Sequence, residues 1–268
     1  MKTRKYIAHS VIIFVSVLSF FWIYILFINA TRSGAEMHGI TLIPSKYFFD
    51  NMAGVLFGPL PFISSLFNSL FVSIISSLGC IYFASLCAYG FNMYDFRCKK
   101  AIFVFLLMIM MVPAQVSTLG YIDLAKKMHL SDTLWSIILP RMSVPVTFYY
   151  IYQFMKIDVS KTYVEAARID GATEISTFHK IIFPILKPAI VVQFIYEFVY
   201  NWNSFFVPAI MIESDSKRTL AIVVTMLRSY DEGVGYAVIV FSILPVTIMY
   251  VLLSKHIISG ITAGGVKM

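Results

Sequence analysis

Charged residues fall in clusters along this chain, and the intervals between them are apolar runs of membrane-spanning length. A bilayer core about 30 Å thick needs about 20 apolar residues in a helix. Six segments meet that length: about Ile7 to Ile28, Leu66 to Phe91, Ala101 to Ile122, Thr133 to Met155, Ala189 to Ile212 and Val234 to Leu253. The first carries no Asp, Glu, Lys or Arg and has no clear small-residue cleavage site before Arg32, so it reads as an anchor, not a removable leader. Pro113, Pro140, Pro145, Pro208 and Pro245 stand inside or beside these runs, and each can remove a helix hydrogen bond and permit a bend.

Composition agrees with the pattern. Hydrophobic residues make up 59% of the chain and charged residues 13%, an interior too apolar for the polar residues left to cover a soluble surface. The formal charge of +7 is better spent anchoring loops beside anionic lipid than binding nucleic acid. Lys2, Arg4 and Lys5 precede the first run; Arg97, Lys99 and Lys100 lie between the second and third; Lys156, Lys161, Arg168, Lys180 and Lys187 between the fourth and fifth; Lys255 and Lys267 follow the sixth. The opposite loops dilute their basic residues with acidic ones, among them Glu36, Asp50, Asp132, Glu213 and Asp215. The Lys/Arg bias of short loops then predicts six crossings with both termini cytoplasmic, an all-α polytopic membrane protein. The stretch from Arg32 to Ser65, with its prolines, glycines and aromatic residues, is expected to pack as a short lid or interfacial helix.

One cytoplasmic loop, residues 156–188, has a structural grammar of its own. Ser160 can cap a helix that begins near Lys161. Tyr163, Ala166 and Ala167 place small and apolar side chains along a helical face, Glu165, Arg168 and Asp170 supply charge, and Glu165 can pair with Arg168 three residues on. Gly171 permits a turn or a left-handed backbone position at the helix end. A second helical run continues through Phe178, Ile181 and Ile182 to Pro184, and Pro188 opens the fifth segment. The spacing alone allows either two short displayed helices or a connector lying on lipid.

The string Glu165-Ala166-Ala167, Asp170-Gly171-Ala172, Phe178, Pro184 and Pro188 resembles the signature loop of bacterial ATP-binding-cassette importer permeases. Asn68-Ser69, Ala88-Tyr89, Phe96-Arg97, Val112-Pro113 with Gln115, Trp202-Asn203 with Phe205 and Pro208, Thr219-Leu220, and Ser259-Gly260 through Ala263-Gly264-Gly265-Val266-Lys267 resemble the carbohydrate-uptake branch related to the second maltose permease subunit. The resemblance implies a type I importer permease fold in a single domain over residues 1–268, with core spans at about 66–253, in a bacterial cytoplasmic membrane. It implies that Glu165, Ala166, Ala167, Arg168, Asp170, Gly171 and Ala172 couple to a separate ATPase. It also implies as partners a second permease, two ATPase copies that carry ATP and magnesium, and an extracytoplasmic solute-binding protein. Ser160, where relatives often carry proline, and Ile157-Asp158-Val159 depart from the pattern.

Inside the apolar runs, Arg141 and Glu197 are the clear charges, and a charge at the bilayer centre costs about 2.5–3.5 kcal/mol or more. Arg141 can snorkel to the outer interface or line a pathway. Glu197 can pair with a partner chain, line an inner vestibule or hold a helix contact. Asn201, Trp202 and Asn203 can bind a sugar face or satisfy neighbouring helices. The five histidines, His9, His38, His129, His179 and His256, show no metal-ligand spacing, and Cys80, Cys87 and Cys98 give no disulfide framework. No Gly-rich loop ending in GK[ST] is present, so no cofactor is expected on this chain and ATP belongs to another subunit. An autonomous ion-coupled carrier leaves the 156–188 loop without a role, a membrane enzyme needs convergent acid, base or metal groups, and a non-transporting assembly subunit keeps the loop but not the gate.

Overall fold

A computed structural model describes residues 2–37, 39 and 41–265. His38, Val266 and Lys267 lie outside the described residues. Among the described residues every regular element is helical. Helix α1 spans Lys2–Ala30, α2 Phe48–Phe57, α3 Phe62–Met93, α4 Lys99–Ile109, α5 Ala114–Lys127, α6 Trp135–Arg141 and α7 Pro145–Asp158. The short α8 spans Lys161–Ile169 and α9 Glu174–Thr177. A π turn over Phe178–Ile182 leads into α10, Phe183–Ile185, followed by α11, Lys187–Trp202, and α12, Phe206–Met211. Helices α13, Leu220–Tyr230, and α14, Glu232–Gly265, complete the order.

Among the described residues, three helices are long and apolar enough to cross a membrane: α1 over Tyr6–Ala30, α3, and α14 over Glu232–Ser254. The count rises to five if each of two bent pairs is one span. The third, fourth and fifth apolar segments, where prolines were expected to permit bends, are each interrupted. The third breaks between α4 and α5, which meet at 101°. Pro113 has no N–H to continue α4, and its ring drives the preceding residue out of the helical region. The fourth breaks at Ser143 and Val144, because Pro145 starts α7 and holds Val144 extended at φ −103°, ψ 111°. The fifth ends early at Trp202, and three residues separate α11 from α12. A further bend of 78° precedes α11, between Pro184 and Pro188. Pro140 and Pro245 lie inside helices, α6 and α14, without breaking them.

Helix α3 is the axis of the packing. One face is a stripe of small residues: Ser69, Ser73, Ser76, Cys80, Ala84 and Ala88 are all buried. In lipid no hydrophobic drive presses helices together, so close approach over small side chains has to supply the contact. Helices α7 and α11 use that face. Gly79 serves the same purpose against Met142, whose side chain would lie 2.9 Å from a Cβ there.

Two buried clusters sit at opposite ends of α3. Ala30, Val55, Phe62, Trp202, Leu220 and Ala237 share one. Ala88, Tyr89, Met155, Val164, Phe178 and Ile182 share the other. Phe62 and Tyr89 are about 40 Å apart along an ideal helix. At the first end the Arg32–Ser65 stretch forms a single turn at Gly34–Glu36 and the helix α2. Asn51 of α2 ties this region together by donating to the carbonyls of Ala30 (2.9 Å) and Arg32 (2.8 Å). Asp132 accepts from the Glu213 and Ser214 amides and from Lys217 Nζ at 2.9–3.0 Å, joining the α5–α6 turn to the α12–α13 turn.

The small-residue face gives a direct test. Ser73→Leu, at a fully buried position, is expected to overpack the α3 seam and cost about 1–3 kcal/mol. Leu78→Ala, on the exposed side of the same helix, is expected to change stability by less than about 0.5 kcal/mol. Thermal unfolding of the detergent-purified chain reads both.

Candidate functional site

The loop between α7 and α11 is held by its own caps. Ser160 Oγ accepts the Thr162 amide at 3.2 Å, which supplies an otherwise orphaned donor at the first turn of α8. Thr173 does the same for Ser176 at the start of α9. Gly171 closes α8 with φ +77°. A Cβ there would meet no atom within 4 Å, so the backbone angle and not space calls for glycine.

Helix α8 turns Val164 and Ala167 inward, with Val164 on the cluster that contains Phe178 and Met155. Tyr163, Glu165, Ala166, Arg168 and Ile169 stay exposed. Of the three residues expected to share a helical face, the register of α8 leaves Tyr163 and Ala166 exposed and buries Ala167. The expected Glu165–Arg168 pair is also replaced. Arg168 Nε donates instead to Glu174 Oε1 at 2.7 Å.

Glu174 is the centre of the joint. Its other oxygen accepts from Tyr89 Oη at 2.8 Å and from Tyr94 Oη, and the Arg168 guanidinium lies 5.6 Å from the Tyr94 ring centre. Arg168 first, then the two tyrosine hydroxyls, hold the Glu174 carboxyl well below the usual glutamate range, down to about 2. One carboxylate thus fastens α8 to the end of α3. Tyr82 Oη and His179 Nε2, 3.2 Å apart, add a second link from α3 to the π turn.

The charges inside the apolar segments meet each other. Arg141 Nη2 donates to Glu197 Oε2, and Thr147 Oγ1 donates to Glu197 Oε1 at 2.8 Å. Glu197 is fully buried and Arg141 mostly so. The guanidinium carbon stands 3.8 Å from the Tyr200 ring centre. Neither group is left as an isolated buried charge, which would be strongly destabilising. Arg141 therefore turns toward α11. Asn201 is buried and its amide donates to the Glu197 carbonyl at 2.7 Å. Trp202 Nε1 donates to the Ser242 carbonyl at 3.1 Å, binding α11 to α14. Asn203 is exposed, its amide on the Val199 carbonyl at 2.8 Å.

With the displayed helix and its anchoring carboxylate in view, comparison with known proteins gives the class. The family described as binding-protein-dependent transport system inner membrane component matches residues 80–262, more than half of the chain. The chain belongs to this family. It is a transmembrane permease subunit, and nucleotide hydrolysis belongs to a separate ATPase. The arabinooligosaccharides transport system permease of Bacillus subtilis is 33% identical over 261 residues, covering 94% of this chain and 92% of that one. The trehalose transport system permease of Mycobacterium tuberculosis is 26% identical over 260 residues, covering 94% and 93%. A bacterial ABC transporter that imports the acidic polysaccharide alginate has the same fold, with a TM-score of 0.80, 21% identity, and coverage of 93% of this chain and 95% of that chain.

Sequence reasoning did not find Glu174, Tyr89 and Tyr94 as a unit. A carboxylate just beyond the α9 cap, facing tyrosines 80 and 85 residues earlier, leaves no local spacing signal.

Two measurements test this joint. The stabilisation by Glu174 is complete above the ordinary glutamate pKa of 4.5 and is lost as the pH falls through about 2. Amide protection in α8, followed by hydrogen exchange in detergent, is expected to fall across that window in the parent chain. In Glu174→Gln it is expected to be low already at neutral pH. Gly171→Ala is expected to cost about 1–2 kcal/mol and Gly171→Asn less, because asparagine tolerates the left-handed region; thermal unfolding ranks the two.

Proposed function

We propose that the chain is the permease half of an ATP-driven carbohydrate importer in which α8 docks on a cytoplasmic ATPase and passes its closure to the membrane helices through α3. The observation that carries the coupling role is the two-sided construction of α8. Its inner side is packed and its end is fastened to α3 by Glu174, while Glu165, Ala166 and Tyr163 remain exposed. Apolar side chains outside the spans accompany them, with Ile157 78% and Ile169 87% exposed, as expected of a surface that a protein partner covers. Residues 156–188 form the coupling loop of a single permease domain over residues 1–268.

Six crossings follow if the α4–α5, α6–α7 and α11–α12 pairs are one span each, beside α1, α3 and α14. The end of α1 and the start of α14 share the buried cluster at the far end of α3 from α8, which supports placing both termini on the α8 side, the cytoplasm. The carbohydrate substrate and the branch of the second maltose permease subunit are supported by the motif resemblance and by the relatives whose names carry arabinooligosaccharides and trehalose. The assembly then holds a second permease, two ATPase copies and an external solute-binding protein. ATP binding closes the ATPase pair, α8 moves with it, and hydrolysis resets the gate, a shift between two populations.

Affinity purification from native membranes in mild detergent, followed by mass spectrometry, tests the reading. An ATP-binding-cassette ATPase and a second permease are expected to co-purify. Glu165→Lys on the exposed side of α8 is expected to lower ATPase recovery about ten-fold while the second permease stays bound. Recovery of the chain alone, under conditions that keep a control importer intact, would refute it.

A further inference from the structure

Helix α5 is held by one end. Its buried residues are Ile122 and Ala125, which share a cluster with Met211 at the end of α12. Its other end follows the 101° break at Pro113, and there Ala114, Ser117 and Thr118 form one wall of a cavity of about 560 Å³ between the broken helices. Beyond the last turn of α5 the chain takes two left-handed residues that are not glycine, His129 at φ +55° and Asp132 at φ +54°. Such a backbone persists where its surroundings over-determine it. At Asp132 they do. Its N–H donates to the Met211 carbonyl at 2.8 Å, and its own carbonyl accepts from Lys217 Nζ at 2.7 Å. Oδ1 accepts the Glu213 and Ser214 amides at 3.0 and 2.9 Å. Oδ2 accepts from Ser214 Oγ, and from Lys217 Nζ at 2.9 Å. Every polar atom of the residue is engaged, and every partner lies within residues 211–217.

The segment that Asp132 grips is itself fastened to α3. Asn68 Nδ2 donates to the Ser216 and Arg218 carbonyls at 2.9 and 3.0 Å, and Ser69 Oγ accepts the Leu220 amide at 2.7 Å. Both residues stand near the start of α3, away from α8. Val72 of α3, Ile137 and Ile138 of α6 and Ile212 share a further buried cluster, so α6 also rides on α3. Helix α5 reaches this body through the apolar contact at Met211 and through the turn that Asp132 fixes. Apolar contact has no direction and leaves a helix free to swivel about it, whereas hydrogen bonds weaken steeply once misaligned. We propose that Asp132 is a positioning residue for transport: by fixing the α5–α6 turn to residues 211–217 it makes α5 travel with α3. Motion arriving along α3 then moves the α5 wall of the cavity and is not absorbed at the turn, where loop residues would otherwise take up the dihedral change. The proposal rests on the importer reading, in which motion enters at α8, and adds to it the residue that carries this motion to α5.

The test uses the complete importer in proteoliposomes, with arabinotriose and trehalose as probe sugars, and reads uptake and ATP hydrolysis in the same vesicles. Asp132→Gly removes the carboxylate and accepts the left-handed backbone without strain. It is expected to lower uptake about five-fold while hydrolysis changes less than about two-fold, so that more ATP is consumed per sugar. Asp132→Asn keeps an acceptor for the two amides and tolerates the same backbone, and is expected to recover part of the loss. A second measurement depends neither on these variants nor on the sugar. With Cys80, Cys87 and Cys98 replaced by serine, spin labels on Lys127→Cys and Ser216→Cys, both exposed positions, report the separation across the joint by electron paramagnetic resonance. One narrow separation is expected, the same with and without ATP, and Asp132→Gly is expected to broaden it. A separation that shifts with ATP in the parent would overturn the proposal, because the turn would then be a hinge. So would Asp132→Gly importing as well as the parent, or losing uptake and hydrolysis in equal measure, the mark of a merely structural residue. A parent that hydrolyses ATP but imports neither sugar would tell against the carbohydrate reading, and the spin-label separation then decides the proposal alone.

Discussion

Close approach along the small-residue face of α3 is the constraint on which the other contacts depend. A helix surrounded by lipid gains little from burying leucine, since the tails are equally apolar. What a neighbour can gain is van der Waals contact over a short distance, and Ser73, Ser76, Cys80, Ala84 and Ala88 provide it over four turns. Helices α7 and α11 are both seated there. That seating brings Thr147 and Arg141 on one side within reach of Glu197 on the other. Widen the seam with larger side chains and the carboxylate loses its partners before any polar residue is changed.

The second constraint is backbone accounting. Prolines at 113, 145, 184 and 188 deny helical hydrogen bonds at places the apolar pattern would otherwise run through. Such breaks are costly in lipid and tolerable where protein or water meets the exposed groups. The breaks at Pro113 and Pro145 meet a third, at residues 203–205, around one space, and the buried Arg141–Glu197 pair lies in the same wall. Breaks and charges share a shelter, which costs less than building one for each.

The apolar runs, the Ser160 cap and the left-handed Gly171 were legible because each is a local matter, decided within one turn of helix or one stretch of hydropathy. The fourth segment shows where that legibility ends. Hydropathy averages over the window from Thr133 to Met155 and does not register that Pro145 forces Val144 extended. The joint at Glu174 was hidden for a different reason. Glu165 stands nearer to Arg168 in sequence, and an i,i+3 pair is the default expectation. The caps at Ser160 and Thr173 set α8 and α9 so that Arg168 instead reaches Glu174, six residues on. Arg141 and Glu197 were each legible as a costly buried charge, but only the packing of α6 and α11 on α3 shows that they answer one another across 56 residues.

The placing of firm and interrupted structure bears on how force applied at α8 could travel. At that end the links are dense: Glu174 to Tyr89, Tyr94 and Arg168, Tyr82 to His179, and Val164 seated among Phe178 and Met155. Helix α3 then runs unbroken to the far cluster, so a displacement at its tyrosines is delivered along its whole length. Helices α7 and α11, pressed against it, each end in mid-chain at a break. A rigid rod beside two interrupted ones bends the interrupted ones, because a few loop residues absorb dihedral changes that a hydrogen-bonded helix resists. The residues that would yield, 142–144 and 203–205, include Ser143, Val144 and Ser204 on the cavity wall. Motion entering at α8 would therefore be converted to a change of shape at that cavity and not spread evenly through the bundle.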